Sequence, residues 1–436
     1  MLKRLGFLVL LLCGIAAGVF GARRFLAPGE LPLDRARALL AAKRPAAAQA
    51  VARGIVRVDP RAVEAHLVLA QTQLLLADWL SAEKEARALR TLRYDRMVVN
   101  AMLARALVMQ EHYQDVLTEI PAVASRPEEQ ALNLALRSRA YLAMGDVVQA
   151  QSSLDGAVQQ RADEPAVLVQ QARMALSRRD FASALARVAG ALRTRPNDVE
   201  TILLESEILA AEGKTAEGVQ ALDQAVEIAP SSPQVRLARA ALLMETGSDA
   251  RAQGDVDAVF DVSPHDPTAS FDNAVLLFRK KQYADAGVEF DKLAAALDRY
   301  PAGYLYKARI AMEFGNKQSA LDSLDRLLKV RPNDSEGLRL AVLLDLQTQQ
   351  PMQAVALLKT ATAAAPTDGL NFDLLGRAYF MLGRREEAIE SFGRAAALAP
   401  ESKEFAAHLV AAKTEFGVAP LPMEPAVGEP VVEEAR

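Results

Sequence analysis

Apolar residues recur along this chain at helical spacing, in short runs that come in pairs. Ile202, Leu203, Leu209 and Ala210 mark one amphipathic helix, Gly213 a turn, and a second amphipathic helix follows. The pair returns every 34 residues. With starts at residue 29 and every 34 thereafter, the eighth position reads Ala36, Ala70, Ala104, Ser138, Ala172, Ser206, Ala240, Ala274, Ala308, Val342 and Gly376, small at ten of eleven. The twentieth reads Ala48, Ala82, Val116, Ala150, Ala184, Gly218, Ala252, Ala286, Ala320, Ala354 and Ala388, again small at ten of eleven. Position twenty-four is mostly larger and apolar, as at Ile120, Leu154, Leu222, Phe290 and Phe392. Trp79, Tyr113, Phe181 and Tyr283 open second helices. Small residues at two fixed positions let paired helices approach closely, and the pattern predicts an all-α chain with strand signals essentially absent.

Breaks fall on the same ruler. Pro60, Pro196, Pro230, Pro264, Pro332, Pro366 and Pro400 share one phase, and Pro60 to Pro400 is ten periods. Gly145, Gly213, Gly247, Gly315 and Gly383 fall between paired helices, where a left-handed residue is wanted after the first helix. Pro-Asn-Asp at 196–198 and 332–334 supplies a stop followed by an N-cap. One helix pair cannot bury its own apolar face, so each repeat leans on its neighbours.

A 34-residue helix–turn–helix period is the signature of tetratricopeptide repeats. The chain resembles that family over residues 29–402, eleven periods, and most closely in NFDLLGRAYFMLGRREEAIESFGRAAALAP, which ends at Pro400. Tyr94, Glu128 and Ala162 stand where the terminal proline belongs, and a proline is displaced to Pro301, so the loops of repeats two to four should be the least regular. The resemblance implies antiparallel helix pairs stacked into a right-handed superhelical solenoid whose first helices line the inner face. Residues 403–416 should form an extra helix capping the last apolar face.

The N-terminus is organised differently. Residues 5–22 carry no charge and are flanked by Lys3 and Arg4 before and Arg23 and Arg24 after. Eighteen helical residues span about 27 Å, at the short end of what crosses a bilayer. Residues 1–24 are therefore expected to be a signal-anchor transmembrane helix. A cleaved signal peptide, using small residues at Ala16, Ala17 and Gly18, is the alternative. A lipobox at Cys13 fits poorly, because Leu12 precedes it. Lys3 and Arg4 favour a cytoplasmic N-tail and exported repeats, while Arg23, Arg24, Arg35 and Arg37 pull the other way. The single cysteine lies in the anchor, so the repeats make no disulfide in either compartment.

Charge and composition exclude more than they assign. The net charge is −4, of which residues 417–436 supply −3 through Glu424, Glu429, Glu433 and Glu434 against Arg436. The repeats are close to neutral, which argues against nucleic acid as a partner. The tail, with prolines at 420, 422, 425 and 430, has too few large apolar residues to pack and is expected to be disordered. No catalytic, phosphate-binding or metal-ligating motif occurs, so neither enzyme activity nor a cofactor is expected. His66, His112, His265 and His408 are scattered over separate repeats and are expected at the surface or half-buried.

Candidate binding residues come from the repeat phase. Position nine, facing inward from the first helix, reads Arg37, Gln71, Arg105, Arg139, Arg173, Glu207, Ala241, Val275, Arg309, Leu343 and Arg377. Arg105, Arg139 and Arg173 fall in consecutive repeats and would form a ladder suited to carboxylates, since guanidinium forks hold them bidentately. The plainer account is that arginine is a tolerated helix former beside position eight. The asparagine of chaperone-binding carboxylate-clamp repeats is missing at this position. Leu237, Met244, Phe271, Phe278 and Met312 fall at inward phases further on, either as an apolar peptide groove or as inter-repeat core.

The resulting expectation is a scaffold of tetratricopeptide repeats at the bacterial inner membrane, with periplasmic repeats. It would bind protein or peptide partners, with an anionic polysaccharide as a further candidate. The chain looks like the many-repeat proteins of exopolysaccharide and PEP-CTERM sorting systems, through phrases such as residues 181–230. The alternative is a regulatory adaptor of lipopolysaccharide synthesis with cytoplasm-facing repeats, though the terminal cysteine pairs of such adaptors are absent here.

Overall fold

The computed structural model describes residues 32–414. The expected anchor at 1–24 and the acidic tail at 417–436 lie outside the described residues. Among the described residues no helix is long and apolar enough to cross a membrane. They form 23 α-helices and no strand, a tetratricopeptide-type solenoid, and the chain divides into two compact units at Asp266 and Pro267.

In the N-terminal unit seven antiparallel pairs follow in order. They are α1 (Pro32–Ala41) with α2 (Pro45–Val58), α3 (Val63–Leu75) with α4 (Trp79–Thr91), α5 (Arg96–Met109) with α6 (Tyr113–Glu119), and α7 (Pro127–Ala143) with α8 (Val147–Arg161). Then come α9 (Pro165–Ser177) with α10 (Phe181–Thr194), α11 (Val199–Ala211) with α12 (Thr215–Ile228), and α13 (Pro233–Glu245) with α14 (Asp249–Phe260). The C-terminal unit holds α15 (Pro267–Arg279) with α16 (Tyr283–Lys292), α17 (Ala302–Glu313) with α18 (Lys317–Val330), α19 (Ser335–Gln347) with α20 (Pro351–Ala364), and α21 (Gly369–Met381) with α22 (Arg385–Leu398). Helix α23 (Lys403–Thr414) closes it.

The core is built where the small positions lie. Ala172, Ala184, Val188, Leu204 and Ile208 form one cluster, drawn from α9, α10 and the first helix of the next pair. Each repeat thus finishes its core with residues of its neighbour. Gly376 shows why position eight is small, since a Cβ there would lie 2.6 Å from the ring of the fully buried Phe392.

Every first helix ends in a left-handed residue, at 43, 77, 111, 145, 179, 213, 247, 281, 315, 349 and 383, with φ between 57° and 86°. Glycine fills five of these positions. Lys43, Ala77, Glu111, Arg179, Lys281 and Gln349 adopt the same conformation with a side chain attached. At residue 145 the Gly145 N–H reaches the Leu142 carbonyl at 3.0 Å and the Asp146 N–H reaches that of Tyr141 at 2.9 Å, so the last carbonyls of α7 stay satisfied. Asp198 and Asp334 cap their helices, accepting from the Thr201 N–H at 3.0 Å and the Gly337 N–H at 2.8 Å.

The irregular places are two. Helix α6 has only 7 residues, because Pro121 cannot continue it. Arg137 of the following helix donates to the Ile120 carbonyl at 2.9 Å and also to that of Leu117, satisfying the shortened end. In the C-terminal unit α16 stops at Lys292 and a 3-10 turn at Leu297–Arg299 leads to Pro301, the displaced proline.

Candidate functional site

In the N-terminal unit, side chains from alternate helices α5, α7, α9 and α11 meet at one point. They can do so only because the first-helix layer curves inward. Glu200, in the first turn of α11, is the meeting point. Arg139 donates from Nη1 to its Oε1, Arg173 Nη2 stands 3.6 Å from the same oxygen, and Arg105 Nε stands 3.9 Å from Oε2. Arg105 also donates from Nη2 to Gln234 Oε1 of α13 at 3.3 Å, and its guanidinium lies 5.9 Å from the centre of the Trp79 ring. The three arginines of the sequence ladder are thus together, on a carboxylate that the sequence did not single out.

The electrostatics follow from three cations around one anion. Burial alone would raise the Glu200 carboxyl. The charges of Arg139, Arg105 and Arg173, with the hydrogen bond from Arg139, outweigh it and hold the group at about 2 against an ordinary 4.5. Arg173 is pulled below the usual guanidinium value, first by burial and then by the like charge of Arg139, while Glu200 and Glu207 oppose the shift. The buried Nε of Arg173 has no hydrogen-bond partner. Glu200 and the three arginines keep between 18% and 23% of their side-chain surface, so the cluster still opens to the groove.

The remaining candidates are placed differently. Arg37 pairs with Glu64 at 2.6 Å across neighbouring first helices, about half exposed. In the C-terminal unit Arg309 is paired with Glu336, and Arg377 is buried. Leu237 is half-buried and Met244 buried on α13. Phe271 stacks on Tyr300 at 5.2 Å and meets Phe290 edge-on at 5.9 Å. Phe278 packs against Tyr283 at 5.3 Å and Tyr306 at 5.1 Å. These aromatic rings join adjacent helices of their unit.

Two histidines depart from the expectation of surface or half-buried positions. His66 is buried with Glu85 at 2.5 Å and the Pro60 carbonyl at 3.1 Å, and His408 is buried with Asp373 at 2.7 Å. The carboxylates are distant in sequence, and pairing is what makes a polar ring tolerable in a core. Arg236 repeats the His66 arrangement five repeats later, donating to the Pro230 carbonyl at 2.7 Å and to Asp255 at 2.7 Å. Positions four and twenty-three of a repeat are the readable signal, a cation facing an acid. Among the described residues no group of histidine, cysteine and carboxylate side chains could hold a metal ion.

Family models described as tetratricopeptide repeats match residues 175–242, 237–303 and 371–402. No curated protein matches the chain. Among solved structures, a tetratricopeptide repeat protein from Parabacteroides merdae is 17% identical, covering 57% of this chain and 98% of its own, with a TM-score of 0.40. Yeast Tom70 is 15% identical over 89% of this chain and 90% of its own, with a TM-score of 0.44. Pseudomonas aeruginosa PilF is 17% identical over 49% of this chain and 97% of its own, with a TM-score of 0.43. Residues 175–303 and 371–402 are thus tetratricopeptide repeats by their family models, and the helix pairs of the other described residues follow the same 34-residue period.

Proposed function

We propose that this protein is a binding scaffold whose inward first-helix faces receive protein or peptide partners. The observation that carries the reading is the convergence of first-helix side chains in the N-terminal unit, which makes a lined concave wall with charge at its centre. The uncharged run at 5–22 supports tethering to a bacterial inner membrane, and Lys3 and Arg4 support repeats on the periplasmic side. A role in exopolysaccharide assembly or export rests on resemblance of repeat phrases alone.

The test is a photocrosslinking amino acid placed in the full chain in bacterial cells. Positions 108, 142 and 176 lie on first helices, whereas Leu80 and Val148 are 71% and 77% exposed on second helices. Partner adducts should form from the first set and not from the second. Equal or stronger adducts from Leu80 and Val148 would move the binding face to the outside and defeat the scaffold as stated. A periplasm-active reporter fused after Arg436 should work; activity only in the cytoplasm would favour the regulatory-adaptor alternative.

A further inference from the structure

We infer that Arg105, Arg139 and Arg173 form a binding site for the carboxylate side chains of an acidic peptide with apolar neighbours, and that Glu200 occupies this site in cis until such a peptide displaces it. The inference rests on the scaffold reading and names the chemistry of its ligand. Three guanidinium groups carry fifteen N–H donors, against about four lone-pair sites on one carboxylate. Only Arg139 is within hydrogen-bonding distance of Glu200; the contacts of Arg105 and Arg173, at 3.9 and 3.6 Å, are ion pairs too long for a hydrogen bond. The Nε of Arg173 is buried with nothing to donate to. Donors and positive charge are both in excess.

A second cluster in the same unit shows what a closed structural network looks like. Asp255, 1% exposed at its side chain, accepts from Arg236 at 2.7 Å and from Arg239 at 2.7 and 2.8 Å. Asp223 then takes Arg239 at 2.7 Å and Arg251 at 2.9 Å. Three arginines there meet two carboxylates through short bonds. Around Glu200 three arginines meet one carboxylate, mostly at long range and beside the open groove, and Glu207, which acts on Arg173 through its charge, still leaves three cations to two anions. Such a cluster is poised to accept a further anion.

The peptide assignment comes from the flanks. Val108, Leu142 and Leu176 each lie three residues beyond one of the arginines and are half-buried, one side of each packed on the core of its repeat and the rest left at the surface beside the arginine. Apolar side chains alternating with carboxylates complement this wall. A polysaccharide acid would set its hydroxyl groups against aliphatic residues that offer no hydrogen bond.

The test uses the purified full chain and a fluorescent nine-residue peptide of alternating leucine and aspartate, with an asparagine counterpart. In anisotropy titrations the aspartate peptide should bind and the asparagine peptide should not. Glu200→Gln removes the occupant and should tighten binding of the aspartate peptide by roughly ten- to a hundredfold, the range of one charge-assisted hydrogen bond. Should that variant fail to fold, Glu200→Asp, which shortens the reach, should tighten binding less but in the same direction. The triple change Arg105→Gln, Arg139→Gln and Arg173→Gln should abolish it. Unchanged or weaker binding in a folded Glu200 variant, full binding by the triple variant, or no binding by any form overturns the inference. Alginate competing as well as the peptide overturns the peptide assignment. Crosslinking from position 142 that survives in the triple variant would leave the scaffold standing and sink only the arginine site. Absence of any crosslink in the parent protein would sink the scaffold itself.

Discussion

Position nine of the repeat carries arginine in both units, and the two sets behave differently. In the N-terminal unit Arg105, Arg139 and Arg173 share Glu200 and leave positive charge unmatched. In the C-terminal unit Arg309 has its own partner in Glu336 and Arg377 is buried, while aromatic rings from Phe271 to Tyr306 join the helices. The same helix position therefore becomes a site or a strut according to what stands opposite it. Of the three consecutive arginines only Arg173 is followed by an acid at position two of the next repeat, Glu200, and the three must share it. A single arginine with an acid one repeat away is closed.

The sharpest way to test that contrast is to remove an aromatic strut. Phe290 is fully buried against Phe271 and Tyr306, so Phe290→Ala should cost about 3–5 kcal/mol by the cavity it leaves. Urea denaturation should show the loss in the C-terminal unit alone; an equal shift of the N-terminal unit would mean that the two do not melt separately.

Next in size is an opposite response to acid. Glu200 sits at about 2 in the folded chain and near 4.5 unfolded, so its contribution is present above about 4.5 and lost as pH falls toward 2. Asp345 of the C-terminal unit is raised by burial to about 6 from 3.8. Its sign is reversed, and stability declines as pH rises from about 4 to 6. At about 1.4 kcal/mol per unit, each shift corresponds to about 3 kcal/mol. Glu200→Gln should flatten the acid limb of the N-terminal unit, and Asp345→Asn should flatten the rise-side loss of the other. If both units weaken together toward acid in the parent chain, the contrast fails.

A smaller effect checks the repeat phase. Ala184 is fully buried between α9, α10 and α11, so Ala184→Phe should overpack it by about 1–3 kcal/mol. An unaltered melt would show the site to be looser than its burial indicates. Smallest is Ala77→Gly, which relieves a left-handed residue and should stabilise by up to about 1 kcal/mol in thermal unfolding. Destabilisation instead would place the strain elsewhere.

Much of this architecture was legible in the residues, for one physical reason. Close helix contact demands small side chains at fixed intervals, and Ala184 or Gly376 announce that demand directly. Helix stops and caps such as Pro196 and Asp198 are equally local. The Glu200 cluster was not legible, because it joins position two of one repeat to position nine of three others through the curvature of the stack. His66 with Glu85 was hidden for a related reason, since its partner lies across the turn. The left-handed residues were half visible: glycine announces the conformation, whereas Lys43 or Gln349 adopt it under the compulsion of the helices they join.

One contact of the N-terminal unit bears on how quickly a guest could enter. Lys43, in the first turn of the stack, donates to the Glu227 carbonyl at the end of α12, 184 residues away, so the curl of this unit comes round to meet itself. Arg105 reaching Gln234 fastens it a second time further in. Were this contact to bar a partner approaching from the side, productive arrival would require it to open. Association measured by stopped flow would then level off at high partner concentration, at the opening rate, and Lys43→Ala would lift that ceiling.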